Sequence, residues 1–140
     1  MNKIRPILIF ILMTALIFGC NDCDDCLDTQ EKNLLIVDNN GNNLLFGSNA
    51  IFDPFNVNLN FETGAASAWF VDEQTQSIWF ALEPEQTTYI LQLDDTYSIF
   101  IEFDLGERKS ERCCGNQIYS TSTQVNGVMV DNSDTITITY

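Results

Sequence analysis

Histidine is absent from all 140 residues. That removes the Ser-His-Asp and Cys-His nucleophile systems, the HExxH zinc protease and every imidazole metal ligand. Basic residues are nearly as scarce, at six against 20 acidic ones. Lys3 and Arg5 stand at the start of the chain, so residues 20–140 hold four basic side chains and a formal charge of −16. Such a surface repels nucleic acid phosphates, and nucleic acid is excluded as a partner. No stretch beyond residue 32 sustains the i, i+3, i+4, i+7 apolar spacing of a helix, so the repeating elements are strands. Carboxylate-only catalysis, as in glycosidases, survives these exclusions. Adjacent acids such as Asp72-Glu73 and Asp94-Asp95 are nevertheless expected on any solvated surface of this composition, and no catalytic residue and no cofactor is assigned.

What is present begins with two positive charges, followed by an apolar run from Ile7 to Phe18 and then Gly19-Cys20. This is the three-part layout of a secretory signal. Sixteen residues, Pro6 to Asn21, carry no charge, whereas a hydrocarbon core of ~30 Å needs a helix of ~20 residues. The run is too short to span comfortably. Leu16-Ile17-Phe18-Gly19-Cys20 resembles the lipobox of bacterial lipoproteins. Ile17 matches the branched aliphatic position, Gly19 the small residue before the cut and Cys20 the lipidated cysteine, while Phe18 is larger than the residue usual there. The resemblance implies cleavage before Cys20, diacylglycerol on its sulfur and an acylated amino terminus. At ~0.8 kcal/mol per buried methylene, two or three long chains make a permanent membrane anchor.

Three segments follow: a leader over 1–19, an acidic tether over 20–32 and a domain over 33–140. The tether NDCDDCLDTQEK has almost no apolar content. Its acids resemble the signal after the cysteine that directs lipoproteins of Bacteroidota to the outer face of the outer membrane, and they serve equally as a solvated spacer. Within the domain, apolar runs or alternations occupy Leu34 to Val37, Leu44 to Phe46, Val57 to Phe61, Ser67 to Val71, Ser77 to Leu82, Thr88 to Leu93, Tyr97 to Asp104, Gln117 to Val125, Val128 to Val130 and Thr135 to Tyr140. Turn residues separate them. Asn40-Gly41 and Asn126-Gly127 fit tight hairpins, and Asp72 to Gln76 has the length of a longer one. About eight or nine short strands at roughly ten-residue spacing predict an all-β antiparallel sandwich, immunoglobulin-like or transthyretin-like. The stretch Ile36 to Leu45 resembles the opening strand and turn of small β-sandwich modules of Bacteroidota surface lipoproteins.

Cys23, Cys26, Cys113 and Cys114 remain once Cys20 is assigned to lipid. An even number in an exported chain implies disulfides, with three connectivities open. Two of them tie the tether to the loop after the Tyr97–Asp104 strand, and these are preferred to self-pairing of the vicinal Cys113-Cys114. A redox role for Cys23-Asp24-Asp25-Cys26 is disfavoured because neighbouring aspartates raise a thiol pKa. A zinc site is disfavoured because the second pair has no spacer. No metal site is assigned. Asp38-x-Asn40-x-Asn42 copies the opening of a calcium loop but lacks its glycine and its bidentate glutamate, so it reads as a turn.

Two surfaces stand out as sites for a protein or glycan partner. Arg108, Lys109 and Arg112 place three of the four remaining basic residues in one loop, able to receive an anion, an acidic partner or the tether itself. Trp69 and Trp79, in the sequential pairs Trp69-Phe70 and Trp79-Phe80, can stack on sugar C–H faces. Neighbours on a strand point to opposite faces, so one member of each pair turns outward. The leading expectation is a non-enzymatic, lipid-anchored protein of the cell envelope, at the outer membrane on its periplasmic or surface face, whose domain serves binding or assembly. The alternatives are a carbohydrate-binding accessory lipoprotein of a nutrient-uptake system and, behind it, a carboxylate-based hydrolase.

Overall fold

A computed structural model describes residues 29–109 and 116–140. Nine strands are present among them: β1 (Glu31–Val37), β2 (Asn58–Phe61), β3 (Trp69–Asp72), β4 (Ser77–Ala81), β5 (Thr88–Gln92), β6 (Ser98–Lys109), β7 (Asn116–Val125), β8 (Val128–Val130) and β9 (Thr135–Thr139). They form a sandwich of two sheets, in the orders β3-β4-β1-β9 and β2-β5-β6-β7-β8. The predicted all-β architecture and strand number are what is observed.

Alternation along each strand builds the core. Ile99, Ile101 and Phe103 on β6 face Leu34 and Ile36 on β1 and their neighbours Ile136 and Ile138 on β9, all of them buried. Tyr89 of β5 is fully buried between Phe61, Phe80 and Phe103, with ring centroids 5.3, 5.0 and 5.6 Å away. Its hydroxyl accepts a hydrogen bond from the Glu83 N–H at 2.7 Å. Burial pushes its pKa up to about 12, because the phenolate would have to form inside the apolar core.

Asn126 and Gly127 both adopt positive φ (50° and 76°), the requirement of the two-residue turn joining β7 to β8. The Asn126 side chain also accepts from the Phe100 N–H at 2.9 Å.

Four details depart from the sequence reading. First, β1 and β9 run parallel, Asn33 to Val37 against Thr135 to Thr139, so the sandwich is not wholly antiparallel. Almost the whole domain serves as the long crossover that a parallel pair needs. Second, Leu44-Leu45-Phe46 is not a strand. Asp38 closes the turn by accepting from the Asn40 and Asn42 N–H groups, at 2.8 and 2.9 Å. Asn43 then accepts from the Leu45 and Phe46 N–H groups and redirects the chain. Leu44 and Leu45 are both buried, which consecutive residues of a one-sided strand cannot be. Third, β6 does not stop at Asp104 but passes a register shift after it and continues to Lys109, paired with Asn116. The ring of Tyr119 covers Gly106, where an added Cβ would sit 3.0 Å from the ring. An aromatic side chain thus supplies the packing that a glycine in a strand lacks. Fourth, β1 opens at Glu31, inside the segment assigned to the tether.

Candidate functional site

The strands give the sandwich two poles, about 20 Å apart along β1 by the rise of an extended chain. The chain enters at one of them. Thr29 forms a parallel bridge with Ile118, and Gln30 is held on every side. Its N–H donates to the Ile118 carbonyl (3.2 Å) and its carbonyl accepts from the Leu82 N–H (2.9 Å). Its side-chain oxygen accepts from the Ser120 N–H (2.7 Å), and its amide nitrogen donates to Asp134 (2.8 Å). Lys32 follows on the inward face of β1, 0% exposed. Its ammonium donates to the Ser133 carbonyl at 2.8 Å. Burial lowers its pKa, opposed by the carboxylates of Asp134 and Asp131.

The basic segment projects from this same pole. Arg108 and Lys109 lie on β6, not in a loop. Arg108 donates through Nε to the Gln117 side chain at 2.6 Å and lies 5.3 Å over the Tyr119 ring, so its guanidinium is held by stacking as well as by the hydrogen bond. Glu107 accepts from the Asn116 amide at 3.0 Å. Arg112, and likewise Cys20, Cys23, Cys26, Cys113 and Cys114, lie outside the described residues.

The other pole is built from loops. Tyr140, whose N–H donates to the Val37 carbonyl, packs edge-on to Phe52 (5.2 Å) and Tyr97 (4.8 Å). Beside this cluster a groove of about 470 Å³ opens on the outer face of the five-stranded sheet. Its floor is the amide pair Asn58 and Gln92, directly opposed across β2 and β5. One wall is the 51–56 loop with Ile51, Phe52 and Asp53, and the other the β5–β6 turn with Leu93, Asp94 and Asp95. Ile51 and Phe55 of the loop are 62% and 69% exposed. Asp53 is committed to its own loop, accepting from the Phe55 N–H and the Asn56 amide, both at 3.0 Å. Asp94 accepts through one oxygen from the Thr96 N–H and hydroxyl and the Tyr97 N–H, and these bonds hold its pKa below the ordinary 3.8.

The two tryptophans do not share a surface. Register puts Trp69 opposite Phe80 and Phe70 opposite Trp79, so Trp69 packs against the core while Trp79 stacks outside on Phe70, with centroids 4.6 Å apart. The acid pairs likewise serve local structure. Asp72 accepts from the Gln74 N–H and from the Thr75 N–H and hydroxyl, closing the β3–β4 turn. Among the described residues, no group of three or more His, Cys, Asp or Glu is close enough to hold a metal ion.

Sequence reasoning missed Lys32 and the groove. Lys32 carries a faint signal, since it precedes Leu34 and Ile36 at the strand period. The groove carries none that is local, because its parts come from three separate segments. Compared with protein-family models, curated proteins and solved structures, the chain matches none.

Proposed function

We propose that the protein is a lipid-anchored binding module of the cell envelope, held to the outer membrane through Cys20 and presenting its far pole to a partner. The observation that supports this most is the separation of the two poles. The chain comes in at Thr29–Lys32, nine residues after Cys20, while the exposed Ile51 and Phe55 and the groove lie at the opposite end. A domain hung from a membrane at its entry pole turns the other pole outward.

The cysteines fit the same reading as a staple between tether and β6–β7 arm. Thr29 and Ile118 pair in parallel, Cys26 precedes Thr29 by three residues and Cys114 precedes Ile118 by four. All four cysteines thus lie within six residues of this one bridge along the sequence. Crosswise disulfides closing loops of some ninety residues would stabilise the domain by up to ~4.6 kcal/mol in the chain-entropy model.

Mass spectrometry of the full chain extracted from membranes tests the proposal. The expected product begins at an acylated Cys20, and its non-reduced peptides join residues 23–26 to residues 113–114. A mature chain with unmodified Cys20 overturns the anchor, and a bond between Cys113 and Cys114 overturns the staple. Carbohydrate binding is the second reading, supported by the chemistry of the groove and no longer by a Trp69–Trp79 platform.

A further inference from the structure

We infer that the groove between the 51–56 loop and the β5–β6 turn is a binding site for an uncharged carbohydrate, with Asn58 and Gln92 as its floor. The inference deepens the second reading above and rests on it. The groove volume of about 470 Å³ lies within the ~300–1,000 Å³ of small-ligand sites.

Charge narrows the ligand first. No basic residue lines the groove, and the described cations Lys32, Arg108 and Lys109 are all at the opposite pole, so phosphate, sulfate and carboxylate ligands meet only repulsion. A bare metal ion needs oxygens converging on one point, and the carboxylates here do not form such a group. A cationic peptide would gain from the acids, but it would gain equally over the rest of a surface this acidic. What sets the groove apart from that surface is a pair of amides on its floor beside one exposed apolar side chain, Ile51.

Those two features match a sugar. The Asn58 and Gln92 side chains receive no hydrogen bond from the described residues, so each offers both a donor and an acceptor. Vicinal hydroxyls use both at once. Asp95 and the second oxygen of Asp94 add acceptors, and Asp94 is fixed in place by its three bonds to Thr96 and Tyr97. Ile51, 62% exposed, offers the apolar surface that a ring's C–H face needs, backed by the buried Phe52 and Leu93. The floor sits on paired strands and not on loops, so the amides are held in register before any ligand arrives.

The test is a titration of the full mature chain in detergent micelles with neutral gluco-, manno-, xylo-, galacto- and N-acetylglucosamine oligosaccharides, followed by nitrogen-15 NMR of side-chain amides. The expected result is saturable movement of the Asn58 and Gln92 signals with at least one sugar. The double variant Asn58→Ala with Gln92→Ala, shown folded by an unchanged spectrum elsewhere, should lose affinity by about tenfold or more. The inference is overturned if no sugar moves these signals, if the double variant binds as well as the parent, if the Trp79 indole responds in their place, or if an oligo-arginine peptide moves them where sugars do not. A parallel titration of the Cys20→Ser chain should give the same result, so a failure of lipid anchoring and a failure of sugar binding are read separately.

Discussion

Lys32 at the entry pole is a cation taken out of water, whereas Asp38, Asp72 and Asp94 at the far pole are anions left in it. Each arrangement secures chain direction, by different physics. The lysine is enclosed and meets the Ser133 carbonyl and the field of Asp131 and Asp134, so its worth depends on the enclosure being complete. The aspartates cap turns through bonds from side chains and backbone N–H groups two to four residues on, which lower their pKa values without needing burial. The entry pole is thus built from long-range contacts, and the far pole from local ones that leave its surface open, a division that suits the proposed anchor and binding site.

Replacing Lys32 gives the largest expected effect. Lys32→Ala removes three methylenes and the ammonium from the interior and leaves the Ser133 carbonyl without its donor, and should cost about 3 kcal/mol in urea unfolding. Lys32→Met keeps most of the volume and avoids burying a charge, so it should cost clearly less; equal losses in the two variants would mean that the charge, not the packing, holds this pole. The pH dependence has a defined sign. The folded pKa is lowered, so between that value and 10.5 the unfolded chain binds more protons and stability should rise with pH. Lys32→Met should flatten that rise.

Tyr89 sharpens the comparison from the core side. Its folded pKa of about 12 stands above the ordinary 10.0, so over that window the folded state holds the proton and stability should fall as pH rises. Tyr89→Phe should abolish this alkaline loss. At neutral pH it should cost about 1–2 kcal/mol, because the half-buried Glu83 N–H loses its acceptor. An unchanged midpoint at pH 7 would show that water replaces the hydroxyl there.

Acid should act at the other pole. The folded pKa values of Asp38, Asp72 and Asp94 lie below 3.8, so their contribution is complete above pH 3.8 and lost as pH falls through the folded values. Hydrogen exchange compared at pH 5 and pH 3 should show protection lost first at the capped amides of Asn42, Gln74 and Thr96, with Gln30 and Ser120 little affected. Uniform loss at both poles would remove the distinction between them.

How far this division could be read in advance differs between the poles. The period-two pattern of Tyr97 to Phe103 and the Asn126-Gly127 turn signal strand and hairpin with purely local physics, and both are as expected. Lys32 was hidden because a charged residue after Asp24, Asp25, Asp28 and Glu31 looks like more solvated spacer, and only the strand period running on from Leu34 and Ile36 argues otherwise. The β6–β7 arm was hidden by Gly106 and the charges after it, whose strand character depends on Tyr119, thirteen residues on. For the tryptophans, alternation requires that one of each pair turn out, but which ones share a face depends on the register across Asp72 to Gln76. The groove is the least legible of all, since Asn58 and Gln92 face each other through a pairing between residues far apart in the chain.

The smallest expected effect is at Phe55, and it bears most directly on the division of labour. At 69% exposure its ring has little interior to lose, so Phe55→Ser should change stability by no more than about 0.5 kcal/mol. Ile51→Ser, at 62% exposure, should behave alike. Apolar side chains so exposed on one short loop are costly to solubility and gain nothing for the fold, which is the balance expected where a surface is kept for a partner. If either variant unfolds the protein markedly more easily, that side chain belongs to the structural core with Phe52 and the far pole is not a free binding surface. If both leave the unfolding midpoint in place while Ile51→Ser, which alters the groove wall, weakens the NMR-detected binding at Asn58 and Gln92, the pole is spent on recognition and the stability of the module resides at the end where the chain comes in.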